Sequence, residues 1–363
     1  MNRLLRAALP MLALVLAACA GSGPAATGAG SSAGATGPFL YVTAQGDALV
    51  TVIDMATNEI AETIDLRRLG FSENAKPHHI VVEPDGSHWY VSLIGENRVL
   101  KFNRANELVG QAEFEVPGML ALDPASDRLF VGRSMSAVNP PQRIGIIDRD
   151  GMTVDEVDVF FPRPHALNVS PDGRHVYSAS LAVNQMASVD VSEEAVEVHD
   201  VDGPHHMFVQ FAIAPDGKTM ITGGQMSGQL LVFDLSDPAN PARVATLDVP
   251  AQPWHPVFTP DGRYAYIPAK EGNAVAVYDA AQRAIVHEIR GEGLAQPHGA
   301  AVSPDGRYVY VTNNNLNAAY TPEGAYDGDA VGTVVVIDTA TNEIVKVIEV
   351  GHYPTGVGAA AGR

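Results

Sequence analysis

Pro297-His298-Gly299-Ala300-Ala301-Val302-Ser303-Pro304-Asp305-Gly306-Arg307-Tyr308-Val309-Tyr310-Val311-Thr312-Asn313 reads as two antiparallel strands joined by a tight turn. Small residues from Gly299 to Ser303 form a short first strand. Pro304 then pre-sets φ for a turn, and Gly306 supplies the positive φ that closes it. From Tyr308 to Asn313 aromatic and β-branched residues alternate, as in a packed strand. Thr333-Val334-Val335-Val336-Ile337-Asp338 continues as a third strand, and Thr339-Ala340-Thr341-Asn342 turns the chain into a fourth, beginning at Glu343. A lone four-stranded unit of this kind cannot bury both of its faces.

The unit recurs. The other copies are Pro77-His78-His79 running to Pro84-Asp85-Gly86, a degenerate Pro117-Gly118-Met119 running to Asp123-Pro124, Pro164-His165 to Pro171-Asp172-Gly173, Pro204-His205-His206 to Pro215-Asp216-Gly217, and Pro253-Trp254-His255 to Pro260-Asp261-Gly262. Turn prolines 84, 124, 171, 215, 260 and 304 stand 40, 47, 44, 45 and 44 residues apart. That period, with four strands in each unit, predicts the blades of a β-propeller. Phe39 starts on a second strand, and the stretch from His352 to Ala360 reads as an inner strand with nothing after it. Pairing the two gives a seventh blade and removes the open edge. The expected fold is an all-β, seven-bladed β-propeller over residues 39–363, with four antiparallel strands per blade and a closing blade shared by both termini.

Tyr310-Val311-Thr312-Asn313, Val336-Ile337-Asp338-Thr339-Ala340-Thr341-Asn342 and the N-terminal Leu40-Tyr41-Val42-Thr43 and Val52-Ile53-Asp54-Met55-Ala56-Thr57-Asn58 resemble the YVTN family of β-propellers over residues 39–357. The resemblance implies the fold and leaves activity open, because propellers host unrelated functions.

Residues 1–18 carry Arg3 and Arg6 ahead of an apolar run too short to span a bilayer, a secretory leader. The run ends in Leu16-Ala17-Ala18-Cys19, which resembles the bacterial lipoprotein signal-peptidase box. That resemblance implies a diacylated Cys19, and Ala20 implies export to the outer membrane. Residues 19–38 are then a small, uncharged, lipid-anchored tether. The expected address is the bacterial cell envelope, facing the periplasm or the cell surface, with the membrane contacted through the N-terminal lipid. Cys19 is the only cysteine, so covalent c-type haem and thiolate metal sites are excluded from the mature chain. Net charge is −19 with no basic patch, which argues against nucleic-acid binding. No phosphate loop, dinucleotide fingerprint or nucleophile elbow is present, so no nucleotide is expected. A monomer is expected.

Histidine is concentrated in one slot. Directly after the blade-opening prolines stand His78, Gly118, His165, His205, Trp254, His298 and Thr355; one residue later come His79, Met119, Ala166, His206, His255, Gly299 and Gly356. At 12 histidines in 363 residues, chance puts about 0.2 in the first seven positions, and four are occupied. In a meander these positions share one face with the links from second to third strand, at the mouth of the central channel, where ligand sites gather. Neutral imidazoles from several blades suit copper or zinc. The candidate metal ligands are His78, His79, His165, His205, His206, His255 and His298. Arg133, Lys270 and Glu271 follow second strands on that face and are candidates for orienting an anionic ligand. Met119 is a candidate soft ligand, with core packing as its alternative. The layout resembles the propeller domain of nitrous oxide reductase, which holds a copper cluster with histidines from many blades. This chain is shorter and lacks the cupredoxin domain and cysteines of that enzyme, so its activity is not implied. Related propellers also use the Pro-His step structurally, the imidazole bonding a neighbouring blade's backbone.

The resulting expectation is an envelope-anchored propeller that binds copper or zinc through these histidines, as a metal carrier or redox-accessory protein serving an envelope or electron-transfer partner. Other readings stay open: a scaffold binding a protein or glycan, a lactonase- or lyase-like enzyme with a histidine base, or a tetrapyrrole-binding maturation factor, since such lipoproteins also resemble the haem domain of nitrite reductase. The sequence does not decide whether the protein is an enzyme.

Overall fold

The computed structural model describes residues 38–322 and 330–359. The leader, Cys19, the tether, residues 323–329 of the longest insertion and residues 360–363 lie outside it. Among the described residues 28 strands form seven four-stranded antiparallel sheets, with only two single-turn 3-10 helices, Leu66–Leu69 and Ile94–Glu96. The protein is an all-β, seven-bladed propeller. The first blade takes Phe39–Ala44, Leu49–Asp54 and Glu59–Asp65 from one end of the chain and its inner strand, Pro354–Ala359, from the other. Leu40 pairs with Ala359, Tyr41 with Gly358 and Val42 with Val357. Inner strands Pro77–Val82, Pro117–Leu122, Pro164–Val169, Phe208–Ile213, Val257–Phe258 and Pro297–Val302 open blades two to seven in chain order.

Local chemistry sets each hairpin. Gly86, Gly173, Gly217, Gly262 and Gly306 all have φ between 65° and 73°, a region that costs a side-chain-bearing residue strain. The Asp before each glycine accepts the amide N–H two residues on, at 2.8–3.0 Å, from Ser87, Arg174, Lys218, Arg263 and Arg307. Asp123 does the same for Ala125 at 2.8 Å in the degenerate copy. These are Asx turns, which make the reversal without help from the rest of the fold.

The core follows from the stacking. Seven apolar clusters fill the seven blade–blade interfaces, one each. Second and third strands are therefore covered on both faces and read as near-continuous apolar runs, while outer strands such as Glu59–Asp65 and Ala242–Asp248 are largely exposed. Aromatic hydroxyls lock neighbouring blades. Tyr310 donates to Asn58 and Tyr266 to Asn342, both at 2.7 Å. Around the axis, close approach replaces side-chain packing. A Cβ on Gly356 would stand 2.4 Å from the His78 carbonyl oxygen, and one on Gly299 2.5 Å from that of Thr355.

Candidate functional site

Seven times the chain enters an inner strand through a residue in the left-handed region: Lys76, Val116, Arg163, Met207, Gln252, Gln296 and Tyr353, with φ between 47° and 59°. That conformation is costly for residues with a Cβ, most of all for β-branched Val116. Each of these residues is compensated alike. Its carbonyl accepts the N–H of the residue just past the second strand, in turn Ile94, Ser134, Leu181, Gln225, Lys270, Asn314 and Gln45, at 2.8–3.2 Å.

This geometry defines the slot better than the proline does. In blade five the kinked residue is Met207, and Phe208 pairs with Gly224 at the second-strand end, as Pro77 pairs with Leu93 and Pro297 with Asn313. The residues after that opening position are Val209 and Gln210. His205 and His206 therefore sit in the preceding link, where the structure does not join them to the other candidates. His205 is exposed. His206 is buried with both ring nitrogens engaged, Nδ1 by Ser227 Oγ at 2.9 Å and Nε2 by the Asp202 carbonyl at 3.3 Å. The clue lay in the spacing. The opening proline stands seven residues before the turn proline in the other copies, but Pro204 stands eleven before Pro215.

The other five candidates meet. Ring centroids are 4.7 Å apart for His255 and His298, 6.0 Å for His78 and His298, and 6.1 Å for His79 and His255. His165 is close enough to act electrostatically on His78, His79 and His255. Burial is the main cause that lowers all five pKa values: His79 falls to about 3 and His165 to about 4, while His78, His255 and His298 lie well below the ordinary value. The cluster is a nest of neutral imidazoles, the protonation state that binds metal. By contrast His88 and His175 open second strands, and His199 and His287 lie in outer strands. His352 at the rim bonds Asp47 at 2.8 Å.

Neighbouring blades fix the tautomers. His165 Nδ1 lies 2.7 Å from the Arg133 carbonyl and His78 Nδ1 lies 2.9 Å from Gln45 Oε1. Both partners only accept, so both Nδ1 atoms carry the proton and both Nε2 atoms present a lone pair. His79 is the reverse. Its Nδ1 accepts the Leu120 N–H at 3.2 Å, which leaves the proton on Nε2. His255 Nε2 and His298 Nδ1 are buried without a partner. Backbone capping by imidazole is thus realised at His79 and His165, yet in each ring the second nitrogen stays free. A carbonyl on Nδ1–H is also the arrangement that orients metal-ligating histidines. Among the described residues no group of three or more His, Cys, Asp or Glu side chains is arranged to hold a metal ion as it stands. Two imidazoles on a tetrahedral ion place their centroids about 5 Å apart; His255 and His298 stand near that separation at 4.7 Å, while the other two pairs are wider.

Of the charged candidates, only Lys270 faces the cluster. Its ammonium stands 4.5 Å from the Trp254 ring centroid and 5.9 Å from that of Tyr353. Burial lowers its pKa to about 8, with Glu271 opposing. Arg133 is buried and held by Glu156 of its own blade, and by the Glu115 carbonyl at 2.8 Å and the Phe114 ring at 3.9 Å from the link that precedes it. Glu271 accepts from Gln296 Nε2 at 3.2 Å. Met119 is fully buried in the apolar cluster between blades three and four. Below the histidines an axial cavity of about 370 Å3 runs along the inner strands. Of the five clustered histidines, His79 and His255 line it.

Fold and cluster together define a seven-bladed β-propeller with a buried histidine nest at one end of its channel. No protein-family model matches the chain. It is similar in structure to a 6-phosphogluconolactonase candidate from Bacteroides fragilis (TM-score 0.66, 15% identity, covering 90% of this chain and 98% of that one). Hydrazine synthase from Kuenenia stuttgartiensis gives a TM-score of 0.63 at 19% identity, covering 78% and 89%. The dihydro-haem d1 dehydrogenase NirN gives 0.61 at 17%, covering 88% and 74%. At these identities the likeness concerns the fold alone.

Proposed function

We propose that the mouth of this propeller binds one transition-metal ion, copper or zinc, as a carrier or redox-accessory protein of the bacterial envelope. The observation that carries the reading is the set of buried neutral imidazoles: Nε2 of His78 and His165 carries a lone pair by tautomer, and Nε2 of His255 and Nδ1 of His298 are buried without a partner. Leaving the His255 and His298 nitrogens buried and unpaired costs stability, and a soft or borderline cation relieves it. Nitrogen-only donors favour copper or zinc over magnesium or calcium. An acylated Cys19 would hold the domain at the outer membrane, where a soluble partner reaches the mouth.

Elemental analysis of untagged protein is the test. At least one equivalent of copper or zinc per chain is expected, lost in His165→Ala/His298→Ala and retained in His175→Ala/His287→Ala. Metal-free protein after reconstitution with both ions, or equal retention by the two double variants, refutes the reading. A second reading is a tetrapyrrole held by the same imidazoles, favoured by the likeness to NirN, a dihydro-haem d1 dehydrogenase solved in complex with its ligand. A visible absorption band after reconstitution with a haem separates it from the first.

A further inference from the structure

The five histidines are not equivalent, and the difference defines a second position in the site. His79 is the one ring whose Nδ1 is used as an acceptor, by the Leu120 N–H at 3.2 Å. In a neutral imidazole the proton must then sit on Nε2, so this nitrogen has no lone pair to give a metal. His79 and His255 line the axial cavity of about 370 Å3, and the same cavity reaches Val82, Leu122, Val302 and Ala359 at the far ends of inner strands. Gln210 Oε1 accepts from Leu167 N and Phe211 N, both at 3.0 Å, and Asn168 Nδ2 donates to the Phe211 carbonyl at 3.1 Å. The polar side-chain groups left for a guest are therefore the His79 Nε2–H donor, His255, whose Nε2 is unpartnered, and the Gln210 amide nitrogen.

We infer that the channel head is a binding position for a small hydrogen-bond acceptor, a monoanion such as formate or a neutral molecule of comparable size. His79 acts there as the donor that positions this guest rather than as a metal ligand, and His255 supplies the neighbouring ligand nitrogen. The guest arrives along the channel. This rests on the metal reading above, in that the guest completes the coordination of an ion held by the remaining four rings.

Two measurements test it. In EDTA-treated protein, long-range 1H–15N spectra of the histidine rings should show the Nε2–H tautomer for His79 and the Nδ1–H tautomer for His78 and His165; an Nδ1–H tautomer at His79 overturns the proposal whether or not metal binds. In copper-loaded protein, formate and azide are titrated by their spectral perturbation. His79→Asn keeps an acceptor near Nδ1 but loses the Nε2 donor, whereas His79→Gln keeps a donor near Nε2. Both variants should retain wild-type copper content, with anion affinity about tenfold weaker in His79→Asn, the loss of one charge-assisted hydrogen bond, and largely rescued in His79→Gln. Loss of copper in both variants makes His79 a ligand and refutes the assignment, as does anion affinity that is the same in all three proteins. A wild type that takes up no copper overturns the metal reading, and with it the role as a coordination partner, while the tautomer spectrum still decides whether His79 is the donor.

Discussion

Buried neutral histidines make this propeller acid-sensitive in a way that its surface charge does not. In the folded protein the His79 pKa is about 3 and that of His165 about 4, against about 6.5 for an unfolded chain. A depressed pKa means that the folded state binds fewer protons below pH 6.5. Stability is therefore whole above pH 6.5 and falls as pH drops from there toward 4 and 3. Each pH unit in that window costs about 1.4 kcal/mol per ring. Between pH 6.5 and 5 the two rings together remove about 3 kcal/mol, a large share of the 5–15 kcal/mol typical of a domain. His78, His255 and His298 act in the same direction. The assay is urea denaturation of metal-free protein from pH 7.5 to 5, read by tryptophan fluorescence, for the wild type and His79→Gln/His165→Gln. The double variant should lose stability with pH less steeply, by roughly 2–3 kcal/mol per pH unit below pH 6. Parallel pH profiles would show that the rings are solvated and titrate normally, and the neutral nest would be wrong. The same values bear on metal binding. An unperturbed imidazole would lose its metal to protons near pH 6.5, but proton competition at His165 begins near pH 4, so affinity should hold nearly flat from pH 7.5 to 5.

Other consequences are local. Gly356→Ala puts a methyl group 2.4 Å from the His78 carbonyl; backbone cannot yield there cheaply, and a loss of about 1–3 kcal/mol in denaturant midpoint analysis is expected. Val116→Gly relieves a β-branched residue at φ 47° and should raise stability or leave it unchanged, unlike an ordinary Val→Gly change, as differential scanning calorimetry would record. Removing residues 352–363 strips Pro354–Ala359 from Phe39–Ala44 and exposes a strand edge, so light scattering should report aggregation. Cys19→Ser should shift the protein from the membrane fraction to the soluble one with its melting temperature unchanged.

Much of the fold was legible because it is written in local chemistry. Asx turns at Asp85, Asp172, Asp216, Asp261 and Asp305 and the alternation of strands such as Tyr308–Asn313 act within a few residues, so their period counted the blades. The split seventh blade followed from which strand was missing at each end. The site was legible only in outline. Proline marked the slot in six blades, yet in blade five the kink at Met207 moved the slot to Phe208, Val209 and Gln210 and left His205 and His206 in a link. Which nitrogen of each ring is free was decided by groups brought from neighbouring strands: the Arg133 carbonyl for His165, the Gln45 amide for His78 and the Leu120 N–H for His79. Those partners stand 32, 33 and 41 residues away in sequence. The sequence determined by itself that histidines crowd the channel mouth, since one strand and one turn suffice to put them there. Their chemistry belongs to the closed ring, because only the packing of one blade's backbone against the next both removes water from an imidazole and assigns its proton.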